Sequence, residues 1–283
     1  MTLSRRELLR CTAGAAGMLA AGSWLPRVEA AAGKKIPVGL ELWSVRTQCE
    51  KDLPPVLKAI GKMGYQAVEL AHSYYGRDAA TWRKLLDESG LKSCGMHMGL
   101  PALEGDQFAK TVEIHKTIGT PYLIIASLPA DKAETLAALR ETAKLFNKLA
   151  EQLKPHGMKI GYHCHGGDFK KVEGTTPWEV LAENTSPDVI MQLDIGNCLG
   201  GGGDPIAMLK KFPGRSTSIH IKDYGGKPGF VFGEGTVKWE EVFQILETTG
   251  GTKQYVIEEE GRDGPEALLD CERALKNLAK LGR

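Results

Sequence analysis

An excess of charge of either sign is missing: 36 Lys and Arg stand against 35 Asp and Glu, a formal net charge of +1. Without a basic surplus to neutralise phosphates, the chain does not read as a nucleic-acid binder. Missing too is any CxxC pair among the six cysteines, which removes zinc knuckles and dithiol redox motifs. The apolar run from Thr12 to Leu25 is broken by glycine and falls short of the about 20 residues that span a bilayer. No glycine fingerprint follows the first apolar strand, which continues ELWSVR, so a dinucleotide site is not indicated. GGGG at 200–203 lacks the Lys-Ser or Lys-Thr of a phosphate loop and reads as a plain loop. No long linker or low-complexity segment divides the 283 residues, and 42% hydrophobic with 25% charged is ordinary globular composition.

What is present begins with SRRELLR at 4–10, where Arg5 and Arg6 are adjacent. The apolar run follows, then PRVEAAAGKK, with small residues around Ala30 and Ala32. A charged segment, a short apolar segment and an A-x-A-like site form a secretory signal, not a stable membrane anchor. The arginine pair makes it resemble a twin-arginine signal, which exports folded proteins. The expectation is a signal over 1–32, one domain over 33–283, and an exported, periplasmic location. Cleavage leaves Cys49, Cys94, Cys164, Cys198 and Cys271, scattered along the chain and read as small core residues rather than a disulfide framework.

Beyond the signal, apolar strand patterns occur at 36–43, 65–70, 91–98, 121–127, 158–165, 189–197, 216–223 and 254–260. Helical spacing occurs at 53–65, 79–90, 106–119, 134–157, 176–186, 204–214, 239–250 and 264–282. Eight strands alternating with eight helices predict a single-domain (β/α)8 TIM barrel.

In such a barrel the C-terminal ends of the strands carry the chemistry. Here those ends are polar: Glu41, Glu69 with His72, His97, His163 with His165 and Asp168, Asp194 with Asn197, His220 with Lys222, and Glu258 with Glu260. Burying such groups unpaired costs on the order of 2–7 kcal/mol each, and one divalent metal satisfies several together. Asp194, His220 and Glu258 end three consecutive strands, and neighbouring strands lie about 4.8 Å apart, so the three side chains can meet at one ion. A fourth ligand comes from His163, His165 or Asp168 on strand five. Carboxylate with imidazole suits Mn, Co, Fe or Zn better than Ca; Mg stays among the ions considered. Trp82, Trp178 and Trp239 read as packing residues, whereas Trp43 follows Glu41 at a strand end and is the exception. His115 and His156, in or beside helices, read as surface residues.

GYHCHGGDF, QLDIGN, HIKD, FGEGTVKWEEV and YVIEEE, in that order, resemble the xylose isomerase-like barrel superfamily, and within it the sugar phosphate isomerase/epimerase branch with its YHNHxxEF motif. The resemblance implies one divalent metal on His163, Asp194, His220 and Glu258. It implies sugar contacts from Arg46, Glu69, His97, His165, Asp168, Lys222 and Glu260. Two departures stand out: Cys164 replaces the usual Asn, and Asp168 replaces the usual Glu with one methylene less reach. Strand five also offers His163 where epimerases of this kind place a Glu to face the strand-eight Glu.

The expected activity is a metal-dependent sugar isomerase or epimerase. Glu258 or Glu260 removes the proton next to a carbonyl, and Lys222 faces the developing oxyanion. Two other activities share the site: a 3-keto-glycoside lyase or hydrolase, for which one base suffices, and an exported sugar-binding protein without catalysis. The partner expected is a small-molecule sugar, with no nucleic acid; the sequence is compatible with a homo-oligomer.

Overall fold

The computed structural model describes residues 35–283, and the expected signal over 1–32 lies outside the described residues. Eight strands form where the apolar runs predict them: β1 (Val38–Glu41), β2 (Ala67–Ala71), β3 (Lys92–Gly99), β4 (Tyr122–Ser127), β5 (Lys159–His163), β6 (Ile190–Gln192), β7 (Ser218–Ile221) and β8 (Gln254–Ile257). Between and after them run the covering helices α1 (Arg46–Met63), α2 (Ala79–Glu88), α3 (Gln107–Ile118), α4 (Leu136–Leu153), α5 (Pro177–Asn184), α6 (Pro205–Lys211), α7 (Trp239–Thr248) and α8 (Pro265–Lys280).

Local chemistry explains the helix ends. Asp78, Thr135, Thr176 and Asp204 cap α2, α4, α5 and α6 by accepting a backbone N–H of the first turn. Pro177, Pro205 and Pro265 sit at helix starts, where a missing N–H costs nothing. α4 buries Leu139, Ala143, Phe146, Ala150 and Leu153, a stripe at three- and four-residue spacing that packs on the sheet.

All strand pairs are parallel, in the order β6-β5-β4-β3-β2-β1-β8-β7. The two outer strands meet through a single bridge, Asp194 to His220, reinforced by His220 N–H donating to Leu193 O at 3.0 Å. The sheet is therefore a nearly closed TIM barrel, as the alternation predicts.

The barrel interior is read two residues at a time. Ala67, Cys94 and Val256 form a small apolar plug inside it. Two residues further along their strands, Ala67 is succeeded by Glu69 and Val256 by Glu258. The interior thus changes from apolar to ionisable within one pleat, and that change sets the depth of the site.

Some boundaries differ from expectation. Strand six stops at Gln192, because Asp194 caps a short helix, Ile195–Gly200, by accepting the Asn197 N–H at 2.6 Å. Residues 258–260 leave β8 as extended chain without a ladder. α1 starts before the predicted 53 and kinks at Asp52, just ahead of Pro54 and Pro55. The five cysteines are buried and free, as read.

His115 corrects the surface reading: it is fully buried, with Nε2 2.9 Å from Tyr74 Oη and Nδ1 unpartnered. Burial lowers its pKa from 6.5 to about 4. The folded state then binds fewer protons than the unfolded, so this contribution to stability is present above the unfolded value of 6.5 and is lost as pH falls through about 4. The expected loss is at most about 3 kcal/mol. Urea midpoints of wild type and His115→Leu, measured from neutral pH downward, check it: the wild-type midpoint should fall more steeply, and parallel curves would refute the assignment.

Candidate functional site

The C-terminal ends of the strands deliver their ionisable side chains to one buried cluster. Glu41, Glu69, His97, His163, Asp194, His220 and Glu258 are all buried there. His220 is the hinge of the arrangement. Its Nδ1 lies 2.8 Å from Glu258 Oε2 and 3.7 Å from Asp194 Oδ2, and its Nε2 lies 2.6 Å from Glu69 Oε2. One donor atom each from His163, Asp194, His220 and Glu258 fits within a 4.8 Å cluster. Asp194 Oδ2 is buried with no hydrogen-bond partner, while Oδ1 holds the cap of the Ile195–Gly200 helix. A carboxylate oxygen left unpaired beside three further metal-type donors is what a cation site requires, so this donor set fits a divalent ion.

Beneath this set, Gln192 ties the cluster together. Its Oε1 faces His97 Nε2 at 2.8 Å and His163 Nδ1 at 3.1 Å, and its Nε2 donates to Glu69 at 3.0 Å and to Ser218 Oγ at 2.9 Å. Gly95 makes room for Glu69: a Cβ at that position would overlap Glu69 Oε1. Cys164, the departure from the usual Asn, accepts the Asp194 backbone N–H through Sγ at 3.1 Å.

The electrostatics follow from burial and pairing. For Glu258, burial alone would raise the pKa; the His220 hydrogen bond and Lys222 outweigh it and hold it at about 2. For Glu69, burial is likewise outweighed, here by His97 and His220, and the pKa falls well below 4.5. His163 is driven well below 6.5 by burial and by the neighbouring His220 and His97, which leaves a neutral imidazole. Burial would lower the Lys222 pKa, but Asp194, Glu258 and Glu260 raise it, so its ammonium stays charged.

Above the cluster opens a cavity of about 180 Å³, whose lining includes Glu41, Trp43, His97, His163, His165 and Glu258. Glu260 lines this cavity and, with Glu258, also a second one of about 250 Å³ that includes Lys222 and Phe230. Glu260 pairs with Lys222 and accepts from Trp43 Nε1 at 3.1 Å. Trp43 is 39% exposed at this mouth, whereas Trp82, Trp178 and Trp239 are buried. His72, held at φ +54° by donating its N–H to His97 O at 3.0 Å, completes the rim. A larger hollow of about 600 Å³ lies between α7 and α8 and is lined by none of the strand-end residues.

The expected residues therefore divide. His163, Asp194, His220 and Glu258 come together, and His97, His165, Glu258 and Glu260 line the cavity. Three expected sugar contacts are placed elsewhere. Arg46 lies over the Trp43 ring at 4.5 Å and donates to Trp43 O at 2.8 Å, so it braces the tryptophan from behind. Glu69 is spent on His220, His97 and Gln192 below the cavity. Asp168, shorter by a methylene, turns back to accept from its own turn, His165 N–H at 2.7 Å, and from Tyr162 Oη at 2.9 Å.

Glu41 on the cavity wall and Gln192 beneath it had no assigned role in the sequence reading. The signal for both was alternation: Gln192 sits two residues before Asp194, on the same inner face. HIKD and FGEG also find a use. Asp223 accepts from Gly233 N–H at 2.8 Å and Trp239 Nε1 at 2.9 Å, and Glu259 accepts from Phe232 N–H at 2.8 Å, so the 224–237 loop is clamped beside Lys222.

Comparison with known proteins bears on this arrangement. An inosose dehydratase of Geobacillus kaustophilus is 26% identical over 190 residues, which is 59% of this chain and 61% of that protein. The chain thus spans less than two thirds of the length of that relative. A crystal structure of a sugar phosphate isomerase/epimerase from Parabacteroides distasonis superposes with a TM-score of 0.76 at 23% identity, covering 88% of this chain and 95% of that one. The IOLI protein, whose crystal structure holds a zinc atom, superposes with a TM-score of 0.64 at 16% identity over 87% of this chain and 96% of its own. These likenesses between structures concern the fold. The sequence profile described as xylose isomerase-like TIM barrel matches residues 57–280, from α1 to the end of α8, and the chain belongs to that family.

Proposed function

We propose that the protein is a divalent-metal-dependent enzyme that removes the proton next to the carbonyl of a polyhydroxylated keto-sugar or keto-cyclitol. The observation that carries this reading is the convergence of His163, Asp194, His220 and Glu258 within 4.8 Å at the floor of the cavity. The zinc in the IOLI protein and the name of the inosose dehydratase relative support it.

A divalent cation, when bound to these four residues, supplies Lewis acidity to a carbonyl and its neighbouring hydroxyl. The chain's own residues do the rest. Glu69 accepts the Nε2–H of His220, so that an ion taking the place of the Nδ1 proton would meet Nδ1 on the side of Asp194 and Glu258. Of the cavity carboxylates, Glu258 and Glu260 stand beside Lys222 and are the ones assigned to take the proton. Lys222, 3.8 Å from Glu258 Oε1, keeps a positive charge beside the oxyanion that develops.

Isomerisation, epimerisation and elimination share this first step. One observation favours elimination. The cavity carboxylates, Glu41, Glu258 and Glu260, all belong to the neighbouring β1 and β8 side. Across the barrel the wall is Ala126 of β4, His163 and His165, and among the described residues no carboxylate lines the cavity there. Epimerisation by two carboxylates needs one on each face of the carbon; expulsion of a hydroxyl or glycosidic oxygen needs only one base. The same reading takes 1–32 as an export signal and unphosphorylated sugars as substrates.

The experiment is metal analysis of the mature protein together with solvent-deuterium incorporation into inosose, keto-sugars and 3-keto-glycosides. About one metal per chain with exchange next to the carbonyl is expected. Folded protein that takes up no metal, or that neither exchanges nor eliminates from any of these compounds, overturns the reading.

A further inference from the structure

Among the described residues, Glu41 is the cavity carboxylate that the internal hydrogen-bond network leaves out. It ends β1, is fully buried, and lines the cavity of about 180 Å³. Neither of its carboxyl oxygens has a hydrogen-bond partner. The nearest cationic atom is His97 Nδ1, at 3.6 Å. Its neighbours on the wall are otherwise engaged. His97 Nε2 and His163 Nδ1 face Gln192, Glu258 pairs with His220, and Glu260 pairs with Lys222. A buried carboxyl without donors costs several kcal/mol relative to one that is hydrogen-bonded, and the open space in front of it is where the missing donors belong.

We propose that Glu41 is a hydroxyl-binding subsite: its two oxygens accept from adjacent hydroxyls of the bound polyol and so select substrates that carry a diol on the β1 side of the ring. A carboxylate has the right spacing to hold two neighbouring O–H groups, and hydroxyl donors bring what the protein itself withholds. Burial raises the Glu41 pKa well above its usual 4.5, partly offset by His97, and incoming O–H donors stabilise the charged form. A second cation is the competing occupant, since Glu41, Glu69, His97 and His220 can also bring donor atoms within 4.8 Å of one another. Hydroxyls fit better. Glu69 already accepts from His220 and Gln192 and lies 3.2 Å from His97 Nε2, so a cation there must displace contacts that a diol leaves intact.

This inference rests on the keto-polyol reading, and its test separates the two. Wild type, Glu41→Gln and Glu41→Leu are compared on inosose and its monodeoxy analogues, with metal content measured in parallel. Glu41→Leu should raise KM by about 10- to 100-fold with metal content unchanged. Wild type should discriminate against at least one deoxy analogue, and the variants should lose that discrimination, which a merely structural defect does not produce. Unchanged KM with unchanged discrimination overturns the proposal. So does a wild type with two metals per chain of which Glu41→Gln retains one. If wild type neither holds metal nor exchanges any substrate, the function reading fails alone. Calorimetric binding of inosose and myo-inositol to wild type and Glu41→Gln then decides the subsite: weaker binding to the variant supports it, and equal or absent binding overturns it.

Discussion

Asp194→Asn is expected to strip the divalent ion from the protein while leaving the barrel folded. The substitution is selective because the two oxygens of Asp194 have separate duties. Oδ1 caps the Ile195–Gly200 helix, and an Asn carbonyl can accept that same Asn197 N–H. Oδ2, buried and unpartnered, is the oxygen left for the ion, and in Asn it becomes an amide that can only donate. Turnover should fall by about 10³-fold or more, the equivalent of several kcal/mol of lost charge stabilisation. Metal affinity should fall further than the about 10- to 100-fold that loss of an outer partner costs. Glu69→Gln is the natural comparison for that smaller loss, since Glu69 contacts His220 and stands outside the proposed His163, Asp194, His220 and Glu258 set. Chelator competition and metal analysis on the two variants, with circular dichroism to confirm folding, check both. Full metal content in folded Asp194→Asn would remove Asp194 from the ligand set.

Lys222→Met should lose about 10²–10³ in kcat while keeping its metal. The methionine keeps most of the aliphatic stem and removes only the charge. That charge sits among Asp194, Glu258 and Glu260, and its Nζ reaches Asn197 Oδ1 at 3.4 Å. The cation offsets the buried carboxylates around it, and the same charge stands beside the oxyanion that the proposed reaction would develop. Turnover on the substrate that exchanges deuterium, measured beside metal content, is the check. A variant within a few-fold of wild-type kcat would assign Lys222 to holding Glu260 in place and nothing more.

Much of this was legible in the residues. The strands announced themselves because both faces of a parallel strand are covered, so β4, with its YLIIAS, is apolar almost throughout. Asp194, His220 and Glu258 stood out as the polar ends of such runs, whereas the choice of His163 over His165 and Asp168 came from the resemblance. What the sequence could not convey was direction. Glu69 and His97 look alike as strand ends, yet one points into a dense network below the cavity and the other lines it. That difference depends on Gly95 of the neighbouring strand, whose missing side chain opens the space Glu69 occupies. For Asp168, a sugar contact by the resemblance, the sequence likewise hid that its carboxylate accepts from His165 N–H and Tyr162 Oη. Strand six was read too long because Asp194 looks like a strand residue until its capping bond to Asn197 is seen. Arg46 is a sugar contact by the resemblance, and its place over the Trp43 ring could not be read from the sequence.

The thin joint between β6 and β7 has a consequence of its own. Every other neighbouring pair is zipped by a ladder of several residues, whereas this pair closes through Asp194 and His220. In a cyclic sheet, the weakest ladder decides how readily the ring breathes, because local opening starts where fewest bonds must break. Here the clasp is made by two residues of the proposed ion site. The backbone bond from His220 N–H to Leu193 O closes the ring directly beside the side chains proposed to hold the ion. The proposed ion site and the closure of the ring therefore share the same two residues, at the point where the hoop has least to hold it.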